Sequence, residues 1–273
     1  MTQLQTIELE ILKEFIKACD KLGLTYYLVC GTALGAVKYS GFIPWDDDVD
    51  VALLRPDYEL FCKNAQDVLP SNMFIQNYKT DPEFPQFFSK LRNSDTTYIE
   101  SSVKTKRMNH GVYIDVFPLD GYPQNATEAR WLERLKAIYK MELSAAYDSP
   151  CSKKIKPIII AERAIGCHKR TQKIAKKIDS MISAYSVENS KLWCNHGNWQ
   201  GSIEYAPKEQ YGEGTWAEFE GLKVRIPKNY DEYLTQKYGN WRDDIPNEEK
   251  IGHHYYTICD LTKSYTHYIG GYI

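Results

Sequence analysis

Four carboxylates crowd into five residues at Asp46, Asp47, Asp48 and Asp50, within the run Gly41-Phe-Ile-Pro-Trp-Asp-Asp-Asp-Val-Asp50. Like charges this close raise one another's proton affinity, so a stable fold must hydrate them or bridge them with a cation. In an extended segment alternate side chains share a face, which would project Asp46, Asp48 and Asp50 together and turn Asp47 and Val49 the other way. Carboxylate oxygens are hard ligands suited to Mg²⁺ or Mn²⁺, and Mg²⁺ commonly takes only one or two protein carboxylates, leaving the rest to water and phosphate. A solvated turn with helix-capping duties is the plain alternative. Asp115 weighs against it, because it is the one charge in Val112-Tyr-Ile-Asp-Val-Phe117, a run that otherwise reads as buried strand, where a lone carboxylate is costly. Two acids on one strand and a third on its neighbour make a two-metal site for in-line displacement at phosphorus.

The 273 residues allow one large domain or two modest ones. Hydrophobic residues at 43% and charged residues at 26% exclude disorder and a multi-span membrane bundle. Thirty-four basic against 36 acidic residues, a net charge of -2, leaves no global field for a nucleic acid. Glu8, Glu10, Lys13, Glu14 and Lys17 interrupt the first apolar pattern, so it does not read as a signal peptide, and seven cysteines form no regular framework. The expectation is a reduced, cytoplasmic protein.

Leu4, Ile7, Ile11, Leu12, Phe15, Cys19 and Leu22 mark one face of a helix that Gly23 can end. A strand over 26–30, a Gly31-Thr32 turn and a helix over 33–39 follow, then a strand over 48–54 and a helix from Pro56 through Val68. Further strands are expected over 73–78, 87–92, 96–99 and 112–117, the last stopped by Pro118. Helical periodicity covers 127–146 and 158–184. A hairpin turns at Glu220-Gly221 within 219–226, and a helix over 231–238 closes at Gly239. The fold class is α+β: a mixed sheet core with flanking helices over 1–125, an added helical subdomain over 126–200, and a C-terminal part, 201–273, completing the cleft.

Three blocks, Gly31-Thr-Ala-Leu-Gly-Ala-Val-Lys38, Gly41 to Asp50 and Gly111-Val-Tyr-Ile-Asp-Val-Phe-Pro-Leu-Asp-Gly121, resemble the signature blocks of LicD-family phosphotransferases. Phe219 to Lys223, Ile226-Pro and Tyr230 to Gly239 resemble the family's C-terminal block. The resemblance implies a single catalytic domain with a nucleotidyltransferase-like, polymerase-β-like core. It implies Asp48 and Asp50 as metal ligands on one strand, Asp115 as the third acid, and Gly31-Thr32 facing the donor phosphates. Whether Asp46 or Asp48 is the first ligand stays open; Asp48 is favoured, with Asp46 in support. The implied reaction moves phosphocholine from CDP-choline to a sugar hydroxyl of teichoic acid, lipopolysaccharide or a related lipid-linked glycan precursor, releasing CMP. Rival readings are a nucleotidyltransferase acting on an NTP and a non-catalytic glycan-assembly partner.

Lys90 and Arg92, two apart on a strand, could clamp a diphosphate, with a structural ion pair as the rival reading. Lys38 follows the same logic, and His253 or His254 could reach the site. A quaternary ammonium is best held by aromatic faces, for which Trp193, Trp199, Tyr205, Tyr211 and Trp216, or Trp45 beside the acids, are candidates. Nine cations against the single acid Glu162 over 153–177 suit a peripheral contact with an anionic membrane at the inner face of the plasma membrane. Cys167, His168, Cys194 and His196 could supply four zinc ligands, though in no regular finger spacing.

Overall fold

The structure, a computed structural model, describes residues 1–104, 106–147, 153–198, 201–252 and 255–269. The first helix, α1 (Gln3–Leu22), opens on a capping box between Thr2 and Gln5 and ends at Gly23, whose φ of 67° reverses the chain. It buries Leu9, Leu12, Phe15 and Cys19 against the sheet. β1 (Tyr26–Leu28) leads directly into α2 (Cys30–Tyr39). The expected Gly31-Thr32 turn is therefore the first turn of the helix itself. Cys30, at φ 52°, makes the reversal in one residue, and its N–H is held by the Tyr233 hydroxyl at 2.9 Å.

β2 (Asp50–Leu54) begins two residues later than expected, and 46–49 form a loop. α3 (Arg55–Asn64), β3 (Met73–Gln76), β4 (Ser89–Asn93), β5 (Thr97–Glu100) and β6 (Val112–Gly121) follow. The sheet runs β1-β2-β6-β4-β3, with β2 parallel to β6 and the other neighbours antiparallel. Pro118 does not stop β6. It sits beyond Val116, the last residue paired with β4, and before Asp120, where the next partner begins. In that gap its missing N–H breaks no ladder bond.

Three helices come next, α4 (Ala126–Ala146), α5 (Lys156–Ile165) and α6 (Thr171–Ile182), with the expected long helix over 158–184 broken at Gly166, φ 71°. α4 and α6 share a core of Leu132, Leu135, Tyr139, Ile178 and Ile182 with Phe84 and Phe87 from the chain before β4. The chain then returns to the sheet: β7 (Leu192–Cys194) pairs with the end of β6 and with β8 (Tyr205–Pro207). After α7 (Lys208–Tyr211), β9 (Thr215–Phe219) and β10 (Leu222–Ile226) form the hairpin, with Glu220 and Gly221 both at positive φ. That pair of left-handed residues matches the twist of the flanking strands. α8 (Tyr230–Tyr238), β11 (Tyr256–Asp260) and α9 (Thr266–Ile269) complete the described chain. β5 pairs with β11 rather than with β4, so the turn at Asn93-Ser94-Asp95 leaves the sheet instead of folding back on it. The architecture is α+β with a mixed sheet, and no helix among the described residues is long and apolar enough to cross a membrane.

Candidate active site

Asp50, the first residue of β2, lies in register beside Asp115 of β6, and Asp115 in turn lies opposite Lys90 of β4. A carboxylate, a carboxylate and an ammonium thus form one row across three neighbouring strands. The two acids line a cleft of about 590 Å³ whose wall also carries Asp46 and Asp48. The expected convergence of Asp46, Asp48 and Asp50 is present, but a loop produces it rather than strand alternation.

That loop is pinned at several points. Gln5 Nε2 of α1 donates to the Asp46 carbonyl at 2.9 Å. At the hairpin tip the Glu220 carboxylate accepts from the Phe42 N–H at 3.1 Å, while the Glu220 N–H donates to the Ser40 carbonyl at 2.8 Å. At the far end Thr32 Oγ1 accepts from the Asp50 N–H at 2.8 Å. Thr32 is buried and does not line the cleft, so its place is behind Asp50 rather than on the donor phosphates. Gly31 does line it. A Cβ there would stand 2.7 Å from Asp46 Oδ2, so glycine is what lets α2 and the acid approach.

Burial first, then the charge of Asp48 and a hydrogen bond with it, push the Asp46 carboxyl up to about 8. Asp50 is raised well above the usual carboxylate range by burial and by Asp48, Asp115 and Asp46 in turn, partly offset by a hydrogen bond with Cys30. A divalent cation would reverse both shifts, since it favours the ionised form. Among the described residues no three His, Cys, Asp or Glu side chains are already gathered as a ligand set. The carboxylates that could hold a cation are Asp50 and Asp115, in register on adjacent strands, with Asp48 and Asp46 on the same cleft wall, and Mg²⁺ requires few protein ligands.

Lys90 Nζ lies 3.4 Å from both Asp115 Oδ1 and Glu100 Oε2, and 3.2 Å from the centre of the Tyr113 ring. Arg92 does not share its place. It is fully buried, donating to Gln76 and to the Gly111 carbonyl and lying 3.6 Å from Glu100, which satisfies its charge inside the protein. Lys38 lines the cleft but spends its ammonium on the carbonyls of Trp241, 3.2 Å, and Asp243, 2.7 Å, bracing one wall against the next. Trp45 stands at the rim, edge-on to Tyr39, with Lys250 over its ring.

The other expected aromatics are elsewhere. Trp193 is buried with its indole N–H on the Val187 carbonyl, Tyr211 is in the core, Tyr205 stacks on Tyr122, and Trp216 sits on the hairpin beneath Lys223 and Arg225. Trp199, His253 and His254 lie outside the described residues. The rings that do line the cleft are Tyr39, Trp45, Phe88, Phe117, Tyr238 and Trp241. Tyr39 follows Gly31 by eight residues, and thus shares its face of α2, a helical spacing that could have found it. Tyr238 and Trp241 flank the end of α8 and carried no such signal. Cys194 Sγ lies 3.5 Å from His196 Nδ1, but the side chains of Cys167 and His168 lie outside the described ones, and the zinc expectation gains no support.

Residues 23–153 match the family described as LicD/FKTN/FKRP, nucleotidyltransferase domain. The chain carries a LicD-family domain. The LicD match takes in α2, the acidic loop and β6, and stops before the hairpin that pins the loop. Similarity continues beyond it: the chain is 25% identical over 271 aligned residues to the lipopolysaccharide cholinephosphotransferase LicD of Haemophilus influenzae, covering 92% of this chain and 94% of that one. An uncharacterized protein of Rickettsia prowazekii is 28% identical over 116 residues, 42% of this chain.

Proposed function

We propose that this LicD-family chain is a phosphocholine transferase that moves the group from CDP-choline to a sugar hydroxyl of a lipid-linked surface glycan, a lipopolysaccharide or teichoic acid precursor, and releases CMP. The reading is carried by Asp50 and Asp115, adjacent in register and lining an aromatic-walled cleft, with Lys90 paired to Asp115. Near full-length similarity to a protein named for transferring phosphocholine to lipopolysaccharide supports it. The residues that would hold Mg²⁺ or Mn²⁺ are Asp50 and Asp115, with Asp48 and Asp46 completing the acidic wall. One or two such ions, when bound, would supply charge to the transferred phosphoryl group and to the departing CMP.

The chain's own residues do the rest. The first turn of α2 opens on the cleft at Gly31, and a helix N-terminus favours phosphate. Asp115 takes the proton of the acceptor hydroxyl, and the Lys90 ammonium offsets its charge. Tyr39, Trp45, Tyr238 and Trp241 offer ring faces to the trimethylammonium, which cannot hydrogen-bond. The acceptor is met at the inner face of the plasma membrane, where 153–177 carries its positive charge.

Calorimetric titration of CDP-choline, CDP-ethanolamine, CDP-ribitol and CTP with Mg²⁺, repeated on Asp50→Asn, tests the reading. Selective, metal-dependent CDP-choline binding that the substitution removes is the expected result. Preference for CTP would instead indicate NMP transfer from an NTP, and donor binding without CMP release in the presence of acceptor would indicate a non-catalytic partner.

A further inference from the structure

An ordinary surface helix hides its apolar stripe and shows its polar one. α5 does the reverse. At 100° per residue Ile160, Ala164, Pro157, Ala161, Ile165 and Ile158 fill one continuous arc of about 160°, and all six are exposed. The isoleucines are 58%, 74% and 50% exposed at 160, 165 and 158. The opposite side is the one that packs: Ile159 is buried, and the Arg163 guanidinium donates to the carbonyls of Ala145 at 2.9 Å and Tyr147 at 2.8 Å. Arg163 thus fastens α5 to the end of α4 with its apolar face outward.

We infer that α5 is an interfacial helix that inserts Ile158, Ile160 and Ile165 into a bilayer of anionic lipid. Charge decides the occupant. Segment 153–177 carries nine cations and one acid, a net of +8, with Lys173, Lys176 and Lys177 exposed on α6 and Lys177 lying 5.6 Å over the exposed Trp131 ring. A second copy would bring the same positive segment against this one, and like charges so juxtaposed oppose association. Anionic headgroups complement it, and an apolar arc flanked by lysines matches a helix lying in the plane of the interface. The inference rests on the proposed transfer only for its purpose, which is to bring the cleft to an acceptor held in the membrane.

The test is flotation of the full chain with vesicles of phosphatidylcholine alone or mixed with phosphatidylglycerol, at low and high salt. Wild type is expected to float with the anionic vesicles only. The variant Ile158→Ser, Ile160→Ser, Ile165→Ser, whose side chains support no core, should lose affinity about tenfold or more at every salt concentration. Lys173→Gln, Lys176→Gln, Lys177→Gln should flatten the salt dependence. No flotation of wild type at low salt overturns the inference, and so does undiminished binding by the serine variant, which would leave charge alone responsible. A dimer that the serine variant breaks, with no lipid binding, assigns the face to a second copy. Intact CDP-choline binding without flotation removes the membrane face alone, and flotation without donor binding removes the donor reading alone.

Discussion

Thr32 shows how a buried hydroxyl can matter to a site it does not enter. Its Oγ1 takes the N–H of Asp50, so Thr32→Val leaves a buried donor unpaired and should cost about 1–3 kcal/mol, with CMP release falling alongside; Thr32→Ser should restore both in urea unfolding and turnover. Asp50→Asn and Asp115→Asn should each lower turnover by about 10²-fold or more. Asp50→Asn should also make the metal-free protein more stable, by about 1 kcal/mol, because it removes one of several crowded negative charges. A lower melting temperature in EDTA for that variant would contradict the crowding account. Burial holds both His110 and His196 below their ordinary range. As the pH falls below the unfolded value of about 6.5, the unfolded chain takes imidazole protons that the folded one refuses, a contribution that lowers stability toward about pH 5 and opposes the gain from the raised carboxyls of Asp46 and Asp50. Thermal unfolding across that range in wild type and His110→Gln measures it: relative to wild type, the variant should gain stability as the pH falls from about 6.5 to about 5. The acids themselves were legible in the chain, since crowded like charges and a lone carboxylate in an apolar run each ask for a reason. Arg92 was not: a two-residue spacing from Lys90 gives the same strand direction, but only the packed Gln76, Gly111 and Glu100 reveal that its charge is already satisfied.

Among the elements the hairpin of β9 and β10 has the most leverage for its size. Its tip touches the loop that delivers Asp46 and Asp48 through two hydrogen bonds at Glu220, and Phe219 packs on Phe42 at 4.9 Å between ring centres. Gly221, at φ 76°, should resist any side chain: Gly221→Val is expected to cost about 1–2 kcal/mol and, on the proposed function, to lower turnover with little change in CDP-choline affinity. Equal turnover in a variant of lowered stability would show that the loop is held without the hairpin. The Glu220-Gly221 turn was readable because a two-residue loop of that kind has a backbone requirement. The helix over 231–238 with its Gly239 stop was readable for the same reason. Where local chemistry did not decide, long-range pairing did. β5 finds β11, more than 150 residues away, because β4 is already bordered by β3 and β6. Trp45 was legible because it adjoins the acids in the chain; the other rings of the cleft were not, since they come from α2, from the segment entering β4, from β6 and from the end of α8.

At the scale of the molecule, Arg55 ties the helical part to the sheet. Its guanidinium meets both oxygens of Asp120 in β6, at 2.6 and 2.7 Å, and Asp179 of α6 at 3.0 Å, all three side chains being largely buried. Arg55→Met would strand two buried carboxylates and should cost about 3–5 kcal/mol, seen as a drop in the urea midpoint; a loss within experimental error would mean that water replaces the guanidinium. The parallel pairing of β2 with β6 has a consequence of a different kind. Asp50 and Asp115 are 65 positions apart and meet only when those two strands align in one register. A slip of one residue would turn either acid to the opposite side of the sheet, and such distant parallel contacts are slow to form. A chain still emerging, or caught part-way, therefore holds no paired acids, and the chemistry proposed for them arrives only together with the finished topology.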